Sequence, residues 1–446
     1  MLSCHINILF WVVIAAVTAC LAFLPSALRA EMRYQVGAEI AERYLSNIYL
    51  SPDNEKSDFI TTPSLMGEIT DETATRTLSA RYLIGYNKFA RYDENDYVSH
   101  LGELAWDQDL TERISWHITD RGYRSEEPAE EDPEITTTRD TRSPYIRNAL
   151  ETGLSYQFGP EDRLTLSFAD MCLWNDDPEE EDIISYGPRA VFDYWFTHRH
   201  GVTVTGSRDY TEYDDTPSNR MNSLGLMYHL RRSPHTTWHL GYDWEDFSSR
   251  DPEEMDYVVN DWTVGIDHAW SPAWGMGLSV GYYREEPEVG SSNDGYSYTF
   301  SLSRAFVRGS FTIAGDGGHR AEFTEPVRKG EEQPGFTEYQ GVSASFLYEP
   351  VRRVTCHAEA AYEHEKSTGG DSVTDDTWMA GSGLAYLFRP WLAGGVDLMY
   401  ESRTSSDPDD EYDTFTAIVS LTAFYGTLSN RPGALTGGGV TAGGTP

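Results

Sequence analysis

The chain has 446 residues, a formal net charge of −38 and 24% charged residues, together with 38 glycines, 28 tyrosines and 12 tryptophans. Length alone allows two or three domains. An acidic surface repels phosphate, which argues against nucleic-acid binding and is consistent with solvated, cation-rich surroundings.

The N-terminus contains the one long apolar run of the sequence, Ile8 to Leu24, followed by Pro25–Ala30 and then by polar sequence. This order predicts a secretory signal peptide over residues 1–30. A retained membrane anchor is the first alternative, because the run is long and no Lys or Arg precedes it. A lipobox at Val17–Cys20 ranks third, since the residues after Cys20 stay apolar.

From residue 31 onward, segments of ten to fourteen residues alternate between apolar and polar or small side chains. In Trp274–Tyr283 the residues Leu278 and Val280 share one face, and Ser279 and Gly281 share the other. A period of two predicts β-strands. Gly277–Gly281 also matches the G-x-S-x-G motif of serine hydrolases, but that motif needs a strand, a sharp turn and a helix. The unbroken alternation therefore predicts a mid-strand Ser279 rather than a nucleophile.

The connectors between these segments alternate between two classes. Tight ones contain Pro, Gly and Asp, which favour turns, whereas the others are long and acidic, the longest being Ser125–Pro144 and Asp316–Gly335. A regular alternation puts all short turns at one end and all long loops at the other, which is typical of a transmembrane β-barrel. Aromatic residues at the short-turn ends predict an interfacial belt, and they are Trp106, Trp116, Trp195, Trp238, Trp270, Trp274, Phe346, Tyr348, Phe388, Trp391 and Tyr425.

The predicted fold is therefore all-β, a transmembrane antiparallel up-and-down β-barrel in the outer membrane of a Gram-negative bacterium. We count twenty strands from near Arg33 to near Tyr425, or eighteen if neighbours merge. The barrel would occupy residues 31–428, and the glycine-rich segment 429–446 would be a disordered tail. A β-propeller or a sandwich array is the alternative, but no blade signature recurs every ~40 residues.

Motifs for catalysis or cofactor binding are weak. The acidic runs Asp53–Asp58, Asn175–Asp182 and Asp407–Asp413 suit calcium chemically but are more typical of solvated loops, so loop calcium is kept open and no cofactor is predicted. His198-Arg-His200 lies in a tight turn without an evident third metal ligand. A hydrolase would need a base-activated nucleophile, and chance pairs can be assembled from His229, His239, His357, Asp243, Asp267 and Asp397.

The strand register also predicts which titratable groups line the interior, with few lysines or arginines opposing them. Rings of carboxylates favour cations, so an open pore should prefer cations. No plug domain is expected, and the two longest loops are the segments that could constrict the pore. The candidates for the lining are Asp193, Asp243, Glu245, Asp267, Glu359, Glu363, Asp397 and Glu401.

The segment Tyr44–Pro52, "YLSNIYLSP", followed by Asp58–Thr62, "DFITT", resembles the N-terminal segment of a family of outer-membrane β-barrel porins associated with exopolysaccharide and exosortase gene clusters. Ser46 stands where that family usually has Asp. The match covers about twenty residues. It implies a barrel that serves polysaccharide export or surface assembly and supplies no catalytic residues.

Two functional hypotheses follow. The chain is either a channel, porin-like or for polysaccharide, or a structural or accessory barrel with an occluded lumen; an outer-membrane hydrolase ranks below both. The expected partners are outer-membrane lipid, lipopolysaccharide and, from the resemblance, polysaccharide export machinery, with no nucleic acid.

Overall fold

The computed structural model describes residues 32–128, 142–250, 256–288, 291–321, 336–367 and 373–427. The predicted signal peptide and the predicted glycine-rich tail lie outside the described residues. No helix in the described ranges is long and apolar enough to cross a membrane.

The segments whose side chains alternate with a period of two form β-strands along nearly the whole described chain. The strands are β1 (Arg33–Leu45), β2 (Asp58–Glu72), β3 (Arg76–Phe89), β4 (Tyr97–Asp109), β5 (Ile114–Ser125), β6 (Tyr145–Gln157), β7 (Arg163–Asn175), β8 (Ile183–Thr197), β9 (His200–Tyr213), β10 (Asn219–Ser233), β11 (Thr236–Ser249), β12 (Tyr257–Ser271), β13 (Trp274–Pro287), β14 (Asn293–Gly295), β15 (Tyr298–Phe306), β16 (Gly309–Ala321), β17 (Phe336–Val351), β18 (Val354–Ser367), β19 (Thr374–Arg389), β20 (Leu392–Ser405) and β21 (Tyr412–Gly426). Two short 3₁₀ helices, Asp93–Asn95 and Pro408–Asp410, lie in connections.

The sheet closes on itself. Consecutive strands pair antiparallel, and β1 pairs with β21 from Gln35↔Gly426 to Leu45↔Thr416. Both β14 and β15 pair with β13, so together they form one barrel strand interrupted at Tyr296 and Ser297. The result is a closed barrel of twenty strands. The start of β1 and the end of β21 both lie at the short-turn end of the barrel. The structure therefore confirms the predicted fold and the predicted strand count.

The two faces of the sheet have different surroundings. Leu278 and Val280 are 43% and 50% exposed on the outside. On the opposite face, side chains from distant strands meet, as Glu245 of β11 does with His319 of β16. Ser279 belongs to that inner face, because it pairs with Gly265 and Thr299 at inner positions. The facing predicted for this strand therefore agrees with the structure.

Aromatic rings form two belts on the outside. At the short-turn end, Trp270 and Trp274 are 6.3 Å apart between ring centroids. At the loop end, Tyr242, Trp262 and Tyr282 form a ladder with centroid distances of 5.7 and 6.2 Å. From Trp274 to Tyr282 the chain advances eight residues, which at a rise of ~3.4 Å and a tilt of ~40° spans ~21 Å along the barrel axis. That height suits the hydrocarbon layer of an outer membrane.

Trp195 departs from the predicted belt. Its ring lies on the inner face, where it stacks on His229 at 5.9 Å and carries the Arg231 guanidinium at 4.1 Å. Trp195 alternates with Tyr194 and Phe196, which are 41% and 51% exposed on the outside, so period two itself places Trp195 on the inner face. The assignment of Trp195 to the outer belt is therefore wrong.

Candidate functional site

The loop between β1 and β2 lies across the outer mouth and contains the segment on which the family resemblance rests. Asn47 donates from its amide to the carbonyl oxygens of Ser51 at 2.8 Å and Asp413 at 3.3 Å, and its side-chain oxygen accepts the Ser51 N–H at 3.1 Å. Asp58 accepts backbone N–H groups of Phe59, Arg91 and Tyr92. Both polar side chains are fully buried. They fix the loop by satisfying backbone groups that burial would otherwise leave unpaired.

The apolar residues of the same segment form a buried cluster. Ile48 and Ile60 pack with Leu45, Phe89 and Tyr97 on the inner side of the mouth. Ser46, at the position where the family usually has Asp, accepts the Phe415 N–H at 2.7 Å through its hydroxyl oxygen. An Asp carboxylate is also an acceptor there, so the substitution keeps the same kind of contact. The motif thus closes the loop and contributes no reactive group.

The first of the two longest loops enters the mouth beside this cluster. Glu127 forms ion pairs with Arg43 of β1 at 2.6 Å and with Arg142 at 2.8 Å, and it accepts the Tyr97 hydroxyl at 2.9 Å. Arg142 also donates to the Ile48 carbonyl at 2.7 Å. Burial raises the pKa of Glu127, but the two arginines and the hydrogen bonds outweigh it and lower the pKa to about 2. We call these four side chains, Arg43, Tyr97, Glu127 and Arg142, the mouth latch.

The second of the longest loops connects β16 and β17. The ends of these two strands next to the loop also turn towards the barrel interior. Gly318 adopts φ 157°, a conformation that glycine accommodates readily. Beyond it, His319 stacks on Phe336 at 5.4 Å and reaches Glu245 of β11 at 3.3 Å. Arg320 points the other way and contacts Glu363 and Glu365 of β18. Both faces of the hairpin end thus meet inner-face residues. The middles of the two loops, 129–141 and 322–335, lie outside the described residues.

The eight carboxylates that the sequence singled out all lie on inner-face positions. Six have a polar partner there, and the contacts are Asp193 with Thr203 (2.7 Å), Glu245 with His319 (3.3 Å), Asp267 with His239 (3.6 Å), Glu363 with Arg320, Asp397 with His357 (3.5 Å) and Glu401 with Tyr412 (2.6 Å). Glu359 lies opposite Gly381 in the register of β18 and β19. Their role in a pore stays a prediction.

The eighth, Asp243, is part of an unusual pair. It lies directly opposite Asp261 in the β11–β12 register, and Ser297 donates to Asp261 at 3.1 Å. Like charges at directly opposed positions destabilise a sheet. Asp261 was missed in the sequence, although it lies on the same face of β12 as Asp267, six residues away.

Arginines on the inner face of β3–β8 contradict the expectation that few cations oppose the carboxylates. Arg81 reaches Glu103 at 3.4 Å, and Arg121 approaches the same carboxylate at 3.9 Å. They border a cavity of about 740 Å³ whose lining includes Glu68 and Glu151. Extending the alternation to β3 and β5 places both arginines inside, so the signal was present in the sequence. The interior therefore has one sector of mixed charge and one that is mainly acidic.

Metal and hydrolase chemistry find little support in this geometry. Within the described ranges, no three His, Cys, Asp or Glu side chains come together as a metal site would require. Acidic loop residues bind the backbone instead, as Asp182 does with the Asn175 N–H at 2.7 Å. The Thr203 hydroxyl donates to Asp193 at 2.7 Å and lies 3.0 Å from His229 Nε2.

Comparison with known proteins supports the fold. No protein-family model and no curated protein matches the sequence. A mutant of the ferric enterobactin receptor PfeA from Pseudomonas aeruginosa superposes with a TM-score of 0.51 at 9% identity, over 89% of this chain and 80% of the receptor. The siderophore receptor PirA from the same organism gives 0.49 at 8% identity, over 88% and 80%. OccAB4 from Acinetobacter baumannii gives 0.40 at 10% identity, over 90% and 100%.

The closed barrel, the exposed apolar outside and the two aromatic belts are the features of a bacterial outer-membrane protein. The chain is thus an outer-membrane β-barrel whose interior is polar and whose described loop ends form buried clusters at the outer mouth.

Proposed function

We propose that this protein is an outer-membrane diffusion channel that prefers cations. The observation that carries the proposal is the inner face of β11–β13, where Asp243 and Asp261 oppose each other with Glu245 one position further along the same face. Barrels of sixteen to eighteen strands already leave an aqueous channel, and twenty strands enclose more space.

The cost of the Asp243–Asp261 pair supports a role in ion passage. A pair that only stabilised the sheet would have opposite charges or a hydrogen-bonded neutral partner. Two facing carboxylates gain most when a cation lies between them, and carboxylate rings attract cations and repel anions. The arginines Arg81 and Arg121 lie in a different sector of the wall, on β3 and β5, so they do not neutralise this pair.

Neutralising the pair should separate stability from selectivity. We expect the double variant Asp243→Asn/Asp261→Asn to keep or slightly raise the thermal stability of the barrel, by up to ~1 kcal/mol, because a repulsion is removed. The same variant should reduce the cation preference, measured as a smaller reversal potential across a planar bilayer in a salt gradient.

Asp246→Asn is the matched control, because Asp246 lies on the same strand but faces outward and accepts the Asn222 amide at 2.9 Å. Asp243→Asn alone should move the reversal potential and Asp246→Asn should not. Equal reversal potentials for both single variants would reject the role of the inner pair.

We also propose which larger solute, in addition to small ions, passes through the channel. The resemblance implies polysaccharide export, and an acidic interior favours a neutral polymer or one escorted by divalent cations over a free polyanion. The accessory-barrel hypothesis is supported by a different observation, the buried clusters that narrow the outer mouth. Conductance separates the two, since an occluded barrel passes no current.

A further inference from the structure

Three histidines occupy equivalent positions in the barrel wall. His117, His239 and His357 are each the fourth residue of a strand that begins at the short-turn end, namely β5, β11 and β18. With a rise of ~3.4 Å per residue and a tilt of ~40°, each lies about 8 Å above that end. Because β14 and β15 form one barrel strand, successive histidines are six, six and eight strands apart around the barrel. They therefore surround the lumen at one level.

All three side chains lie on the inner face and follow the wall. Each is directly opposite a glycine of the next strand, and the pairs are His117↔Gly153, His239↔Gly265 and His357↔Gly383. The imidazole occupies the space that a side chain at the glycine would take. The side chains remain 28%, 13% and 31% exposed, in that order, so water in the lumen reaches all three.

Each imidazole lies near a carboxylate that also faces the lumen. His117 Nε2 is 3.9 Å from Glu151, His239 Nδ1 is 3.6 Å from Asp267, and His357 Nε2 is 3.5 Å from Asp397. These distances are too long for good hydrogen bonds. The attraction in each pair therefore depends on whether the imidazole carries a charge.

Other charged or titratable groups face the three imidazoles from the same or neighbouring strands. Arg231 is one of them and is itself paired with Glu161 at 2.7 Å. The others are Asp107 and Asp109 of β4 beside His117, His229 of β10 beside His239, and Glu359 of β18 beside His357. A carboxylate thus faces every one of the three histidines.

A common sequence pattern marks the three positions, with an inner Ser or Thr, an outer Trp or Cys and then the histidine. The three segments are Ser115-Trp116-His117, Thr237-Trp238-His239 and Thr355-Cys356-His357. The wall does not need an imidazole at this level, because the fourth residue is Thr203 in β9, Gly277 in β13 and Thr312 in β16. The recurrence of histidine beside a carboxylate therefore points to its charge.

We propose that His117, His239 and His357 determine how the ion selectivity of the channel responds to pH, an inference that rests on the proposed function. Histidine changes its charge between pH 5 and 8. With neutral imidazoles, the three paired carboxylates contribute negative charge to the lumen and favour cations. With protonated imidazoles, each pair has no net charge and the cation preference falls. Because the pairs surround the lumen at one level, every permeating ion passes this level.

Reversal potentials in a salt gradient test the proposal. We expect the cation-to-anion permeability ratio of the wild type to fall by roughly half between about pH 7.5 and about pH 5.5. The triple variant His117→Gln/His239→Gln/His357→Gln should keep the wild-type ratio at the higher pH and lose most of the fall. His364→Gln is the matched control, because His364 pairs with Asp376 at 2.9 Å on the outer face. This variant should respond to pH as the wild type does.

A permanent charge at the same positions gives a second test. The variant His117→Lys/His239→Lys/His357→Lys should show the reduced ratio already at the higher pH. Folding of each variant is checked by heat-modifiable migration on gels, and the three single glutamine variants, each expected to lose part of the pH response, replace a triple variant that does not fold. A glutamine variant that keeps the full pH response, or a control that loses it, overturns the proposal. A cation-preferring wild type without a pH response overturns this inference alone, whereas a folded barrel without current overturns the proposed channel as well.

Discussion

Replacing Glu127 by glutamine should destabilise the barrel and enlarge its outer opening. The carboxylate is held by Arg43 and Arg142 at 2.6 and 2.8 Å, and the Arg142 side chain is only 2% exposed. Removing one partner of a buried ion pair leaves the other charge uncompensated and costs ~3–5 kcal/mol. We expect a lower midpoint of thermal unfolding in detergent together with a higher single-channel conductance, because the loop that the latch holds in the mouth is released.

Lowering the pH from 7 to 5 should leave the mouth latch intact. Since the pKa of Glu127 is lowered from 4.5 to about 2 in the folded protein, its contribution to stability is fully present above about pH 4.5 and is lost as the pH falls towards 2. Conductance attributable to an open latch should therefore not appear between pH 7 and pH 5.

Glu161→Gln is the control for both measurements. Glu161 also accepts two hydrogen bonds from an arginine, Arg231, at 2.7 and 3.1 Å, but its side chain is 45% exposed at a short turn. Exposed ion pairs contribute only ~0–1 kcal/mol. Equal losses of stability in the Glu127 and Glu161 variants, or an unchanged conductance in Glu127→Gln, would show that the latch does not hold the mouth.

Leu278→Arg should be far more damaging than Ser279→Arg. Leu278 is 43% exposed on the outside, about halfway between the rings of Trp274 and Tyr282. An arginine at the lipid-facing midplane costs ~2–4 kcal/mol. At Ser279 the same side chain enters the polar interior next to Gly265 and can remain hydrated.

The readout is the folded fraction of each variant in lipid vesicles along a denaturant series, with Leu278→Met and Ser279→Ala as mild controls. If Ser279→Arg proves the more harmful of the two arginine variants, the register of β13 is displaced by one residue, because a one-residue slip exchanges the two faces.

The sequence was sufficient for the wall of the barrel because the relevant signals are local. Period-two alternation indicates which residues of each strand share a face. Tight turns such as Gly159–Asp162 contain the residue types that turns require. An even strand number permits the antiparallel pairing between β1 and β21 that closes the barrel. For the same reason Arg81 and Asp261 could have been placed inside by extending the alternation to their strands.

The mouth could not be predicted in the same way, because its contacts join distant parts of the chain. Arg43 and Glu127 are 84 residues apart, and Ser46 meets Phe415 across 369 residues. The length of the Ser125–Pro144 loop indicates that it could constrict the pore, but no local pattern indicates where its charged residues bind. Trp195 is a different case, since the alternation of β8 already places it inside between the outward-facing Tyr194 and Phe196.

The reversal potential of the purified wild-type protein in a planar bilayer, under a tenfold gradient of potassium chloride, addresses cation-selective passage. An acidic interior predicts measurable conductance and a reversal potential of the sign for cation flow, approaching about 59 mV only at ideal selectivity. The cation preference should weaken at high salt, because the Debye length shortens to roughly 3 Å at 1 M. A reversal potential of the opposite sign, or a folded barrel that carries no current, would contradict the account.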